Sequence, residues 1–146
     1  MILRRAMHEE KWPGRWTVPG GTLEPADYDT LTPNAAGIYY NVLPHLVQRE
    51  VREETGLEIM NIRFLLDLAY PKRAGKALCL SFFADWKCGN LLPDKEHDDA
   101  AWVTIEQAKT YDLIEGIYEE LLMVEDAIAG RSLHPWGHYV QQAKKR

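Results

Sequence analysis

The run Ala77–Trp86 (ALCLSFFADW) constrains the fold more than any other part of this chain. It is far shorter than the roughly 20 residues that cross a membrane, and it is too continuously apolar for a strand with a polar face. A turn, Pro71-Lys72-Arg73-Ala74-Gly75, precedes it. We read it as a buried strand, which demands cover from other elements.

Those elements are legible on both sides. Met1 to Leu3 reads as the end of a strand, and Lys11-Trp12-Pro13-Gly14 as a turn. Arg15 to Val18 is a short strand stopped by Pro19-Gly20-Gly21. Residues 22 to 42 have no clean period and read as a long loop. Pro44 suits the first turn of a helix, where its missing N–H costs nothing, and Gly56 suits the position just after the last turn. The helix therefore spans Pro44 to about Thr55. Leu57 to Tyr70 reads as a strand or a bent pair, and Ala100 to Val103 as a short strand. Thr104-x-x-Gln107 matches a capping box opening a short helix. Leu113 to Ala129 reads as a helix with a stripe of Leu113, Ile117, Leu121, Val124 and Ile128. Residues 131–146 are expected as a C-terminal tail. Alternating strands and helices point to an α/β or α+β layered domain.

The chain has 146 residues, 46% of them hydrophobic and 27% charged, which is one globular domain rather than a disordered segment. No apolar stretch suits a signal peptide or membrane helix. Net charge is −5, which argues against a dedicated nucleic-acid binder. Acids crowd the stretch from Asp94 to Asp126, while the termini are basic. The two cysteines, Cys79 and Cys88, have no metal-binding spacing and are read as reduced in a cytoplasmic protein.

The helix Pro44–Thr55 carries Glu50, Glu53 and Glu54 on one face, at i, i+3 and i+4. Carboxylates so close repel, and a cation between them removes the penalty. Oxygen ligands suit a hard ion such as Mg²⁺ or Mn²⁺. Val47 and Val51 form a separate apolar stripe for packing on a sheet. The competing reading is a solvated helix on which Arg49 and Arg52 pair with the acids.

Upstream stands Trp16-Thr17-Val18-Pro19-Gly20-Gly21-Thr22-Leu23-Glu24, followed later by Arg49-Glu50-Val51-Arg52-Glu53-Glu54-Thr55-Gly56-Leu57. Together they resemble the signature of the Nudix hydrolases, G-x5-E-x7-R-E-U-x-E-E-x-G-U, where U is a bulky aliphatic residue. Gly21 opens it, and Arg49, Glu50, Val51, Glu53, Glu54, Gly56 and Leu57 complete it. Pro13-Gly14-Arg15-Trp16 is similar to the entry of many members, as is Glu96-His97-Asp98-Asp99-Ala100-Ala101-Trp102-Val103. The likeness spans about residues 2 to 128 and implies an α/β/α sandwich with a mixed sheet, forming one domain over residues 1–130. Asp27 stands where the family has glutamate. Between Asp27 and Arg49 lie 21 residues where the pattern has seven, so about fourteen are inserted, within residues 28–43. Members usually have a further edge strand before the one matching Ile2-Leu3.

The resemblance implies a metal-dependent diphosphatase acting on a nucleotide: an ordinary or modified dNTP, ADP-ribose or a dinucleoside polyphosphate. The alternative is a non-catalytic nucleotide-sensing module. Metal ligands implied are Glu50 and Glu54, then Glu53, the Gly20 carbonyl and Glu96. Catalytic candidates are Glu50, Glu53 and Glu96 as general base, with Arg49 orienting a glutamate. Asp98 and Asp99 are fallbacks for Glu96. The five histidines form no ligand cluster. The implied cofactor is Mg²⁺, with Mn²⁺ as substitute. The implied partner is a small nucleotide, with no membrane. A sheet edge uncovered at Ile2, together with Trp136 and Tyr139, offers surfaces for a homodimer. In the insertion, one of Tyr39 and Tyr40 is free to anchor while the other faces the cleft; the competing reading packs both down.

Overall fold

Among the described residues, five strands form two antiparallel sheets. The computed structural model describes residues 1–72 and 75–145. The first sheet has β1 (Ile2–Arg5) at its centre, β2 (Trp16–Thr17) on one side and β5 (His97–Ala101) on the other. The second is a long hairpin of β3 (Glu58–Lys72) and β4 (Gly75–Cys88), paired from Glu58 opposite Cys88 to Lys72 opposite Gly75 with register shifts at Glu58/Ile59, Met60/Arg63 and Phe64/Leu66. One isolated parallel bridge joins Trp16 to Leu113, and the expected mixed sheet is otherwise antiparallel among the described residues. Arg73 and Ala74, within the expected turn, lie outside the described residues. The helices are α1 (Val42–Thr55), α2 (Ile105–Ala108), α3 (Ile117–Ile128) and α4 (Trp136–Lys145). None is long and apolar enough to cross a membrane.

Helix α1 ends as expected, with Gly56 in the left-handed region at φ 70° and its N–H bonded to the Arg52 carbonyl. The Thr104–Gln107 capping box is formed on both sides. Helix α3 begins at Ile117 rather than Leu113, because Gly116 holds φ at 94° and breaks the helical path there. Its buried face is also rotated from the expected stripe. Leu122, Met123 and Asp126 are buried, whereas Ile128 is 68% exposed.

Three further expectations change. First, β1 is no edge: it is flanked on both sides, and Ile2 and Leu3 are fully buried. The homodimer argument based on an uncovered edge at Ile2 therefore fails. Second, residues 131–145 of the expected tail are not free. Helix α4 brings Tyr139 into a core cluster with Leu65, Leu122 and Met123, and the Tyr139 hydroxyl donates to Asp126 at 2.9 Å. Tyr139 is thus unavailable as an outer surface. Third, β4 is not a buried strand. Its Phe83 packs against the core cluster, but no residue of β4 is fully buried.

Candidate functional site

Three chain segments converge on one acidic cleft. The glycine loop after β2 supplies Gly20, Gly21, Thr22 and Glu24; α1 supplies Arg49, Glu50, Glu53 and Glu54; the loop before β5 supplies Asp94 and Glu96. The cleft has a volume of about 270 Å³. A larger depression of about 450 Å³, lined by Ile105, Glu106, Lys109 and Tyr118, has no comparable gathering of acids.

The i, i+3, i+4 spacing does place all three α1 glutamates at the cleft, in unlike surroundings. Glu54 is buried, and its Oε2 accepts the Gly20 N–H at 3.1 Å. Glu53 keeps 55% of its side chain exposed. Glu50 lies against the glycine loop. A Cβ on Gly21 would fall 1.8 Å from Glu50 Oε1, so only glycine leaves that carboxylate its place.

Arg49 ties the loop to the helix. Its Nε donates to Asp27 Oδ1 at 2.8 Å and its Nη2 to Asp27 Oδ2 at 3.1 Å, a two-point contact with a carboxylate that is wholly buried. It also donates to Glu53 at 3.0 Å, to Glu50 at 2.9 Å and to the Thr22 carbonyl at 3.1 Å. The shorter Asp27 thus reaches Arg49 across the insertion. Asp27 also accepts the Glu24 N–H at 2.8 Å, closing a short 3₁₀ turn, Pro25–Asp27, that sets its position.

Electrostatics separate these acids. The hydrogen bond from Arg49 holds the Asp27 carboxyl below its ordinary range, outweighing burial. Burial raises Glu50 despite the charge of Arg49. Burial pushes Glu54 up to about 8; the Gly20 N–H opposes this, while Glu50, Asp94 and Glu96 reinforce it.

The later loop is arranged differently from the expectation. Glu96 lines the cleft as expected. The fallbacks do not: Arg4 reaches Asp98 at 2.6 Å and Asp99 at 3.8 Å, on the outside of β5. Asp94, which sequence reasoning missed, lines the cleft instead. Buried His97 meets Asp94 Oδ1 through Nδ1 at 2.8 Å, and Asp94 Oδ1 also accepts the Glu96 N–H. The signal was present as an Asp three residues before a His. In the insertion, Tyr39 rests on Tyr28 with ring centres 5.2 Å apart, and Tyr40 accepts a hydrogen bond from Asn34. Neither Tyr39 nor Tyr40 lines the cleft.

Among the described residues, no three His, Cys, Asp or Glu side chains already stand together in a chelating group. The donor chemistry nevertheless fits a hard divalent ion. The acidic donors of the cleft are all oxygen, and among the described residues Glu54 is a buried acid facing other acids without an ion-pair cation of its own, since Arg49 is taken up by Asp27, Glu50 and Glu53.

A glycine loop laid against an acid-faced helix, beside a sheet and a second acidic loop, defines a class, and the comparisons identify it. A family model described as the NUDIX domain matches residues 44–123, more than half of the chain, so the chain belongs to that family. The chain is 30% identical over 123 residues to the NAD-capped RNA hydrolase NudC of Vibrio vulnificus, a match covering 81% of this chain and 41% of that protein. A second NudC, from Vibrio atlanticus, is 32% identical over 68% of this chain and 32% of its own length. The chain therefore spans about two-fifths or less of the length of these curated relatives. Among solved structures, the NUDIX domain of Shewanella oneidensis NrtR complexed with ADP ribose superposes with a TM-score of 0.65 at 15% identity, over 87% of this chain and 75% of that one. At that identity the likeness speaks for the fold alone.

Proposed function

We propose that this chain hydrolyses the phosphoanhydride bond of a nucleoside diphosphate derivative with the help of a divalent cation, Mg²⁺ or Mn²⁺. The observation that carries the reading is the convergence of Glu50, Glu54, Asp94 and Glu96 beside the glycine loop, with Glu54 pushed up to about 8. Glu50 and Glu54 would hold the ion, with Glu53, Glu96 and the Gly20 backbone as further donors. A divalent ion neutralises phosphate oxygens and acidifies water.

The remaining roles fall to the chain itself. Arg49 and Asp27 fix the loop against the helix, so that Glu50 and Glu53 present their oxygens from fixed positions. Glu96, or the more exposed Glu53, accepts a proton from the attacking water. That water bonds to phosphorus as the bridging P–O bond breaks; an ADP-type diphosphate gives two phosphate monoesters, and a dNTP gives a nucleotide and an inorganic phosphate or pyrophosphate. NudC relatives are named for NAD-capped RNA and the NrtR domain was solved with ADP ribose. Substrates joined through an ADP-type diphosphate are therefore the first to test. The net charge of −5 favours small nucleotides over RNA. The free Cys79 and Cys88 suit a cytoplasmic setting.

The test is a product-release screen over NAD⁺, ADP-ribose, dNTPs, dinucleoside polyphosphates and NAD-capped RNA, with Mg²⁺, Mn²⁺ or excess EDTA. We expect turnover that EDTA stops and that Glu54→Gln abolishes. Nucleotide binding without turnover of any substrate would favour the sensing module instead.

A further inference from the structure

We propose that the outward face of the β3–β4 hairpin is the dimer interface of this protein, packed against the same face of a second copy about a two-fold axis. The proposal is independent of the reaction assigned above. Residues of β4 alternate between two faces. On one, Phe83 joins the core cluster and Ser81 hydrogen-bonds Glu120 of α3. The other carries Leu78, Leu80, Phe82, Ala84 and Trp86, five successive positions without a charge.

Leu80, Phe82 and Ala84 are half-buried, and the large apolar side chains beside them are exposed. Leu78 is 68% exposed, Trp86 55%, and Phe64, opposite Phe82 on β3, 54%. Two ring pairs stand on this face: Phe64 meets Phe82 edge-on at 5.9 Å, and Trp86 meets Trp102 at 6.1 Å. From Leu78 to Trp86 the stripe runs about 27 Å along one strand. Isolated surface hydrophobes need no explanation, but an aromatic stripe of this length marks an interaction site.

The area argues for a second copy. The molecule exposes 9499 Å², against about 7,700 Å² for a compact monomer of 16.8 kDa. The excess is about 1,800 Å², and a standard interface takes about 800 Å² from each partner. On this face Asp67 of β3, opposite Leu80, is the charged side chain amid Leu78, Phe64, Phe82 and Trp86; an aromatic core of this kind suits a homodimer, and a two-fold contact needs only one patch to complement itself.

Light scattering after size exclusion tests this. At tens of micromolar we expect wild type at twice 16.8 kDa. Leu78→Glu and Trp86→Glu, each alone, should return the mass to that of one chain, while Met7→Glu, exposed and off the patch, should not. Circular dichroism melts establish that the variants are folded. Should either variant unfold, hydrogen exchange of wild type above and below its dissociation concentration gives the answer. Protection gained on association within 76–88 supports the proposal. A monomeric wild type, a folded variant that stays dimeric, or protection confined to other segments overturns it.

Discussion

Arg49 donates to oxygens from three separate parts of the chain: Asp27, the Thr22 carbonyl, and Glu50 and Glu53 of its own helix. The contact with Asp27 is buried, so breaking it leaves a desolvated guanidinium short of a partner. Asp27→Asn should therefore cost about 3 kcal/mol in urea unfolding, the low end for a severed buried pair because Glu50 and Glu53 remain. An unchanged midpoint would mean that the pair contributes nothing net. Gly21→Ala probes position rather than stability. Its Cβ takes the place of the Glu50 carboxylate, so turnover should fall on the order of 10²-fold while the melt is little changed. Retained turnover would remove Glu50 from the working site.

Helix α4 shows at the element scale what a sequence leaves out. Tyr139 fills the core beside Leu65 and bonds Asp126, which Arg131 also holds at 2.7 Å. Burial alone would raise the Asp126 carboxyl, but hydrogen bonds from Arg131 and Tyr139 outweigh it and leave it below its ordinary value. A depressed carboxyl adds stability above its unfolded value, near 3.9, and loses it as pH falls through the folded one. Stability should thus drop below about pH 4, and Tyr139→Phe should both cost about 1–2 kcal/mol at neutral pH and flatten that acid limb. An identical acid limb in the variant would show that this bond does not set it. Helix α1 and the capping box of α2 were readable because their signals are local: a proline at one end, a glycine at the other, a Thr and a Gln three apart. The phase of α3 was not, because its buried face is chosen by Tyr139 from α4, and no periodicity within α3 records that partner. Likewise the apolar composition of β4 was plain, but whether both of its faces are covered depends on neighbours outside the strand. At the cleft, the glutamates of α1 were legible from their spacing, whereas Asp94 entered through a contact with His97 that only the folded loop reveals.

The whole molecule carries a net charge of −5 and gathers acids at one cleft, so its stability should depend on what neutralises them. In the metal-free protein burial, reinforced by the charges of Glu50, Asp94 and Glu96, disfavours the Glu54 carboxylate, and the fold bears that cost. Two shifts follow. Glu54→Gln removes one acid and should raise the melting temperature of the metal-free protein. An ion that binds only the folded state adds about 2.7 kcal/mol at a concentration 100 times its Kd, which for a chain of this size is a rise of roughly 5–10 °C in Tm. Wild type should show that rise as Mg²⁺ or Mn²⁺ is titrated in, reversed by EDTA, and Glu54→Gln should show little of it. Melts of both proteins across one metal series decide the matter without any substrate. A flat wild-type series, or the same rise in both proteins, would separate the acidic cleft from metal binding and leave its carboxylates to be explained by another cationic ligand.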